Sequence, residues 1–151
     1  MRNKKGFTLI ELLVVIAIIG LLATIAVVAL NSARTSSRDA KRIADVRQVQ
    51  TGLELYYNAK SVYPVSATVV PVDSLDTLST ASGITTYLSG VDNVYDPSVA
   101  KASAACTLGE TDRCNYGYTG TTTGYSIYFS TEAASGALGA GAHTGSDSGL
   151  I

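Results

Sequence analysis

The 151-residue sequence predicts an α+β fold in which one long N-terminal helix precedes a small antiparallel sheet. Three observations carry that expectation. Residues 7–30 are almost wholly apolar, with Glu11 as their only charge. After Leu30 neither Pro nor Gly occurs before Gly52, while Ile43, Val46, Val49, Leu53 and Tyr56 or Tyr57 recur at three- and four-residue steps, the period of one helix face. Further on, Tyr125, Ile127 and Phe129 alternate with Ser126, Tyr128 and Ser130, the period of a strand with one buried side. Four segments result: a leader, 1–6; the apolar half of the helix, 7–30; its amphipathic half, 31–60; and a globular head, 61–151.

The leader carries Arg2, Lys4 and Lys5 and closes on Gly6. Residues 7–30 at helical rise span roughly 36 Å, enough to cross a hydrocarbon core of about 30 Å. A carboxylate inside such a span costs on the order of 2.5–3.5 kcal/mol at its centre and less near an end, and Glu11 lies near an end. A cut after Gly6 gives Phe7 a positive α-amine four residues before Glu11, and a carboxylate is favoured in a helix's first turn. The amine of a neighbouring copy would serve equally, which makes Glu11 a candidate assembly determinant.

Gly6-Phe7-Thr8-Leu9-Ile10-Glu11, behind a short basic leader and ahead of an apolar run, resembles the processing signal of type IV prepilins and of type II secretion pseudopilins. The resemblance implies cleavage between Gly6 and Phe7 by a membrane aspartyl peptidase, N-methylation of the new Phe7 amine, and a docking role for Glu11 in a growing filament. It also implies a ladle-shaped fold. It covers residues 1–30 closely, extends through Tyr56-Tyr57-Asn58 and Tyr63-Pro64, and fades beyond. One position departs from the pattern: many type IV pilins have a proline where this chain has Val28. No proline kink is expected there, and Gly20 is the weak point of the helix.

Other readings of the segment fit less well. A secretory signal peptide has an apolar core of ~7–15 residues, shorter than this one. A plain signal anchor matches the length and leaves Glu11 unexplained. A buried soluble helix seldom holds so long an apolar run.

The amphipathic half should end near Asn58–Lys60, because Pro64 pushes Tyr63 out of helical geometry. The whole helix is then about 52 residues, roughly 78 Å long. Arg38, Arg42 and Arg47 lie largely off its apolar stripe. Thr68–Val72 is β-prone, but Pro71 limits it to an edge strand. Asp73 or Ser74 could cap a short helix containing Leu75 and Leu78, and Gly83 and Gly90 bracket a second short segment, Ile84–Leu88. Residues 91–114 read as loop. Asn115–Thr119 and Tyr125–Thr131 read as a β-hairpin. The Gly/Ala/Ser-rich tail from Ser135 is either a flexible end or an irregular last strand held by Leu150 and Ile151.

Residues 31–60 hold six Lys/Arg against three acids, whereas from Ser61 onward only Lys101 and Arg113 oppose eight acids. Such a head does not suit nucleic acid, whose binding rests on neutralised phosphates. The basic stem reads either as a solvated helix face or as a surface for anionic lipid or acidic neighbours. Basic residues flank the anchor on both sides, so the positive-inside count is ambivalent. The resemblance resolves the orientation, since the family's peptidase cuts on the cytoplasmic side. The precursor is then a single-pass protein of the cytoplasmic membrane with its head outside, and the product an extracellular or periplasmic filament. The implied partners are further copies, the prepilin peptidase, an assembly platform with its ATPase, and lipid before assembly. In an exported domain Cys106 and Cys114 point to a disulfide over a metal site, with two free thiols as the alternative. Closing that loop would contribute ~2–3 kcal/mol.

No spacing assembles a catalytic site. His143, the serines and the scattered acids lack a nucleophile motif. Asp92, Asp96, Glu110 and Asp112 lack the order of a calcium loop, so neither a metal nor a cofactor is expected. The nine tyrosines suit packing better than a sugar-binding surface. The sequence therefore predicts a structural filament subunit and not an enzyme. Its rivals are a type II secretion pseudopilin and, from another class, a ligand-binding module on a membrane tether.

Overall fold

The computed structural model describes residues 6–78, 83–101, 103–110 and 114–150. A 52-residue helix, α1, runs from Leu9 to Lys60, as the pattern predicts. Contacts divide the chain into two units, Met1–Thr35 and Ser36–Ile151, which are taken in turn.

In the first unit α1 continues unbroken past Gly20 and Val28. Every large apolar side chain from Leu9 to Leu30 is exposed, between 45% at Val15 and 81% at Leu9. Thr24 donates its hydroxyl to the Leu21 carbonyl at 2.7 Å and so needs no water inside the apolar run.

The second unit holds a five-stranded antiparallel sheet in simple sequential order: β1, Ser66–Pro71; β2, Gly117–Gly120; β3, Tyr125–Thr131; β4, Gly141–Ser146; and β5, Gly149–Leu150. β2 and β3 form the expected hairpin, with Tyr118 opposite Ile127, and the Thr121 amide donates to the Gly124 carbonyl to close its turn. Tyr125, Ile127 and Phe129 all face the core. They meet Val46, Val49, Leu53 and Tyr56 of α1, with Val72, Leu75, Ile84, Leu88 and Val91 of the connecting segment. Burying each such aliphatic side chain is worth about 1.5–3 kcal/mol. β1 is the edge strand that Pro71 dictates, and its register with β2 shifts between Ser66 and Val70.

The connector departs slightly from its sequence reading. Val72–Thr77 forms a 3-10 turn preceded by Pro71, with no side-chain cap from Asp73 or Ser74, and Leu78 lies just beyond it. The short helix α2 spans Ile84–Tyr87, and a second 3-10 turn covers Val91–Asn93. The Gly-rich tail is regular, forming β4 and β5. Glycine suits this place because β4 lies close against the helix: a Cβ on Gly145 would sit 3.1 Å from Val46 Cγ1 and from Leu150 Cδ2. Ile151 lies outside the described residues.

Asp39 and Arg42 correct the expected helix face, for both are almost fully buried. Arg42 donates from Nε and Nη2 to the Asp96 carboxylate at 2.5 and 3.0 Å, from Nη1 to Asp39 at 2.5 Å, and from Nη2 to Glu132 at 2.8 Å. Asp39 also accepts the amides of Glu132 and Ala133, each at 2.9 Å, and Arg38 grips Glu132 with two bonds. The cluster thus pins the loop after β3 and the loop at Asp96 to one turn of α1. Its charges are tolerable in the interior because each is paired and hydrogen-bonded; removing one partner of such a group costs about 3–5 kcal/mol.

Tyrosine hydroxyls add neutral ties of the same kind. Tyr116 donates to Asp45 at 3.1 Å, Tyr118 to the Pro64 carbonyl at 2.7 Å, and Tyr63 and Tyr125 both donate to Glu54. Burial, and after it the Asp45 charge, push the Tyr116 phenol above its usual value, so it remains a donor.

Two predictions follow from this packing. Gly52→Ala would place a Cβ 2.9 Å from both Cβ and Cδ1 of Leu88, so overpacking of about 1–3 kcal/mol should outweigh a helix-propensity gain of about 1 kcal/mol and lower the melting temperature. The hydrogen bonds from Arg38, and then those from Arg42, hold the Glu132 carboxyl down at about 2 from an ordinary 4.5. Its stabilisation is therefore complete above pH 4.5 and disappears as pH falls toward 2. Denaturant unfolding across that window should show a steep acid loss that Glu132→Gln flattens.

Candidate assembly site

Gly6 and Phe7 precede α1 in non-helical, exposed chain, with Phe7 85% exposed. The junction between them is therefore accessible to an enzyme, whereas a peptide bond within the helix would have to unwind first. The leader residues Arg2, Lys4 and Lys5 lie outside the described residues.

Glu11 occupies the first turn, where it is tied to Thr8. The Thr8 amide and hydroxyl donate to Glu11 Oε2 at 2.8 and 2.7 Å, and the Glu11 amide donates back to the Thr8 hydroxyl at 3.3 Å. This reciprocal arrangement is a capping box, which satisfies two of the amides that a helix start leaves without partners. The signal was present in the sequence as Thr8-Leu9-Ile10-Glu11, a Thr-x-x-Glu ahead of an apolar run, and it gives Glu11 a local role besides any intermolecular one. Only Oε2 takes part, so Oε1 remains for a second donor.

The other candidates lie in the second unit. Cys106 and Cys114 are joined in a disulfide, their Cα atoms 5.0 Å apart. The adjoining backbone pairs as a short parallel bridge, Ala105 with Asn115, and the Cys106 amide donates to the Asn115 carbonyl at 2.6 Å. His143 sits half-buried on β4, with Nε2 2.9 Å from the Gly139 carbonyl and 3.0 Å from the Thr131 hydroxyl, its ring tilted against Phe129. Of the four acids considered for calcium, the three that are described are each engaged elsewhere. Asp96 is taken by Arg42, Asp92 accepts from Asn93, Glu110 turns back on Thr107, and Asp112 lies outside the described residues. Among the described residues no three His, Cys, Asp or Glu side chains are grouped as metal ligands. Tyr56, Tyr63, Tyr116, Tyr118 and Tyr125 are buried in the core and so present no aromatic face to a ligand.

Comparison with known proteins bears on this geometry. The family model described as the prokaryotic N-terminal methylation motif matches residues 1–27, the segment that contains the accessible junction and the capped Glu11. The type IV wide pilus major component PilA4 of Thermus thermophilus is 36% identical over 96 residues, which cover 63% of this chain and 72% of that protein. The chain belongs to the type IV pilin and pseudopilin family. Two further relatives match shorter stretches of the chain. The type II secretion system core protein G of Vibrio cholerae is 35% identical over 66 residues, 44% of this chain and 45% of that protein. A fimbrial protein of Pseudomonas aeruginosa is 39% identical over 54 residues, 36% of this chain and 35% of that protein. The chain thus spans less than half the length of the secretion relative it matches. No solved structure matches it.

The capping box makes its own prediction. Thr8→Val removes the hydroxyl from the first turn while keeping side-chain size, and should cost about 1 kcal/mol of helix-start stability. Amide exchange at residues 9–12 in detergent or bilayer should speed up, with exchange in residues 46–56 unchanged.

Proposed function

We propose that this pilin is a structural subunit of a type IV pilus-like filament, cut between Gly6 and Phe7, N-methylated on Phe7 and polymerised through the apolar half of α1. The observation that carries the reading is the sleeve of exposed apolar side chains over residues 9–30, which begins two residues beyond an accessible Gly-Phe junction. Before assembly, lipid covers the sleeve. In a filament, the anchors of neighbouring copies replace the lipid. Each Leu or Ile side chain is worth about 1.5–3 kcal/mol in transfer from water, so leaving the bilayer is tolerable only with such replacement. Glu11 sets the register by offering Oε1 to the Phe7 amine of a neighbour while Oε2 stays on Thr8. The cluster around Arg42 and the core keep the subunit folded through that transfer. In this reading the protein builds and does not catalyse, and its partners are its own copies, the prepilin peptidase and an assembly machine driven by an ATPase.

A second reading, a pseudopilin fibre of type II secretion, is favoured by the similarity to core protein G. It shares every step above and differs in where the fibre ends, in the periplasm instead of on the surface.

Mass spectrometry of the chain from membrane and sheared surface fractions tests the reading. A chain beginning at N-methylated Phe7 is expected, abundant in the sheared fraction for a pilus and confined to the cell for a secretion fibre. A chain that keeps residues 1–6 would leave a plain membrane anchor. Glu11→Ala should be cut and methylated normally and yet give no filaments; a normal filament yield from that variant would sink the register role.

A further inference from the structure

The second unit carries an apolar knob and, elsewhere on its surface, a cleft of matching chemistry. Among its described residues Leu108 is the most exposed large apolar side chain, at 76%. A single exposed leucine is ordinary on a protein surface. This one, however, is held out by a tightly built turn. The Glu110 amide donates to the Thr107 carbonyl at 3.1 Å, and the Thr107 amide and hydroxyl both donate to Glu110 Oε2 at 3.0 Å. Gly109 takes the positive φ of 80° that the turn requires, and the Cys106–Cys114 bond fixes the base. Presenting an apolar side chain on a pre-ordered turn lowers the entropy lost on docking, as a binding element requires.

The cleft has a volume of about 570 Å³ and lies between α1, the loop after β3, and β5. Its floor is apolar: Ile43, Leu138 and Leu150 are each partly buried and packed against the core. Paired hydrogen bonds between Ser135 and Leu138, at 2.9 and 3.2 Å, hold one wall in shape. At the rim stands Arg47, exposed and without an ion pair among the described residues. No acid lines this cleft, while the Leu108 turn brings Glu110, whose Oε1 is uncommitted.

We propose that the Leu108 turn of one copy docks into the Ile43–Leu138–Leu150 cleft of another, with Glu110 meeting Arg47. Knob and cleft share no residue, so the contact is heterologous. A heterologous contact that does not close into a ring propagates an open helix, the symmetry of a filament. Charge complementarity selects a second copy as the occupant, since the acidic turn and the basic rim belong to the same sequence. The inference deepens the filament reading and rests on it: assembly would use a contact between heads besides the bundle of anchors.

The test uses the full-length chain expressed in cells that assemble it. With Leu108→p-benzoylphenylalanine, irradiated filaments should yield a dimer whose cross-linked peptides join position 108 to residues 43–50 or 135–138 of another copy. Leu108→Ser should leave the amount of chain cut at Phe7 unchanged and reduce sheared filament about tenfold or more, as expected for loss of one buried leucine per contact. Cross-links to any other region, or full filament yield from Leu108→Ser, would overturn this contact and leave the filament reading intact. Absence of filaments from the unaltered chain would overturn both.

Discussion

An apolar helix surface cannot remain in water, and most of the structure of this chain follows from that constraint. From Leu9 to Leu30 no large side chain is covered by the rest of the fold. Such a segment needs a non-aqueous neighbour, which in the proposed reading is first lipid and then other copies of the chain. A carboxylate in such a segment is the expensive exception. The structure keeps the cost down by setting Glu11 at the very start of the helix and giving one of its oxygens to Thr8. The same local bond that makes the residue tolerable leaves the other oxygen available for recognition.

Beyond Ser36 the helix solves the opposite problem, for there it must hold a folded unit without an unusually large core. It does so with a mixture of apolar and ionic contacts. Val46, Val49, Leu53 and Tyr56 bury against the sheet, while Arg42 gathers three carboxylates from three parts of the chain. Burial pushes Asp96 toward protonation, but the hydrogen bonds from Arg42 and Ser98 outweigh it and the carboxylate is held below its usual value. Ionic groups of this sort are directional in a way that leucines are not. They specify where the Asp96 and Glu132 loops sit, and the rest of the sheet follows from those positions.

Much of this was legible in the sequence, and the omissions have physical reasons. The apolar run, the absence of Pro and Gly between Leu30 and Gly52, and the alternation at Tyr125–Ser130 are local periodicities, so α1 and β3 could be read directly. The motif that the family model matches over residues 1–27 was legible for the same reason, as a contiguous stretch. The burial of Arg42 was not. Its neighbour Asp39 stands three residues away, but Asp96 and Glu132 lie far along the chain, and only folding reveals that an apparently polar helix face is closed by them. β4 was obscured by its glycines, which lower strand propensity and yet are what lets the strand approach Val46. The turn that presents Leu108 depends on a backbone conformation and on Glu110 folding back, neither of which leaves a periodic trace.

The approach of Gly145 to Val46 also governs the order in which the molecule can be completed. A ribosome delivers the helix early and β4 late, with roughly a hundred residues of synthesis between them, and contacts of such long sequence separation form slowly. During that interval the apolar half of α1 has all it needs to enter a bilayer, while the stripe through Val46, Val49 and Leu53 still lacks the sheet that will cover it. Nascent copies held side by side in a membrane, each with an unfinished face, are well placed to capture one another wrongly. For this chain a folding chaperone at the membrane surface would have a definite client: the bare stripe of α1, until residues 141–150 arrive.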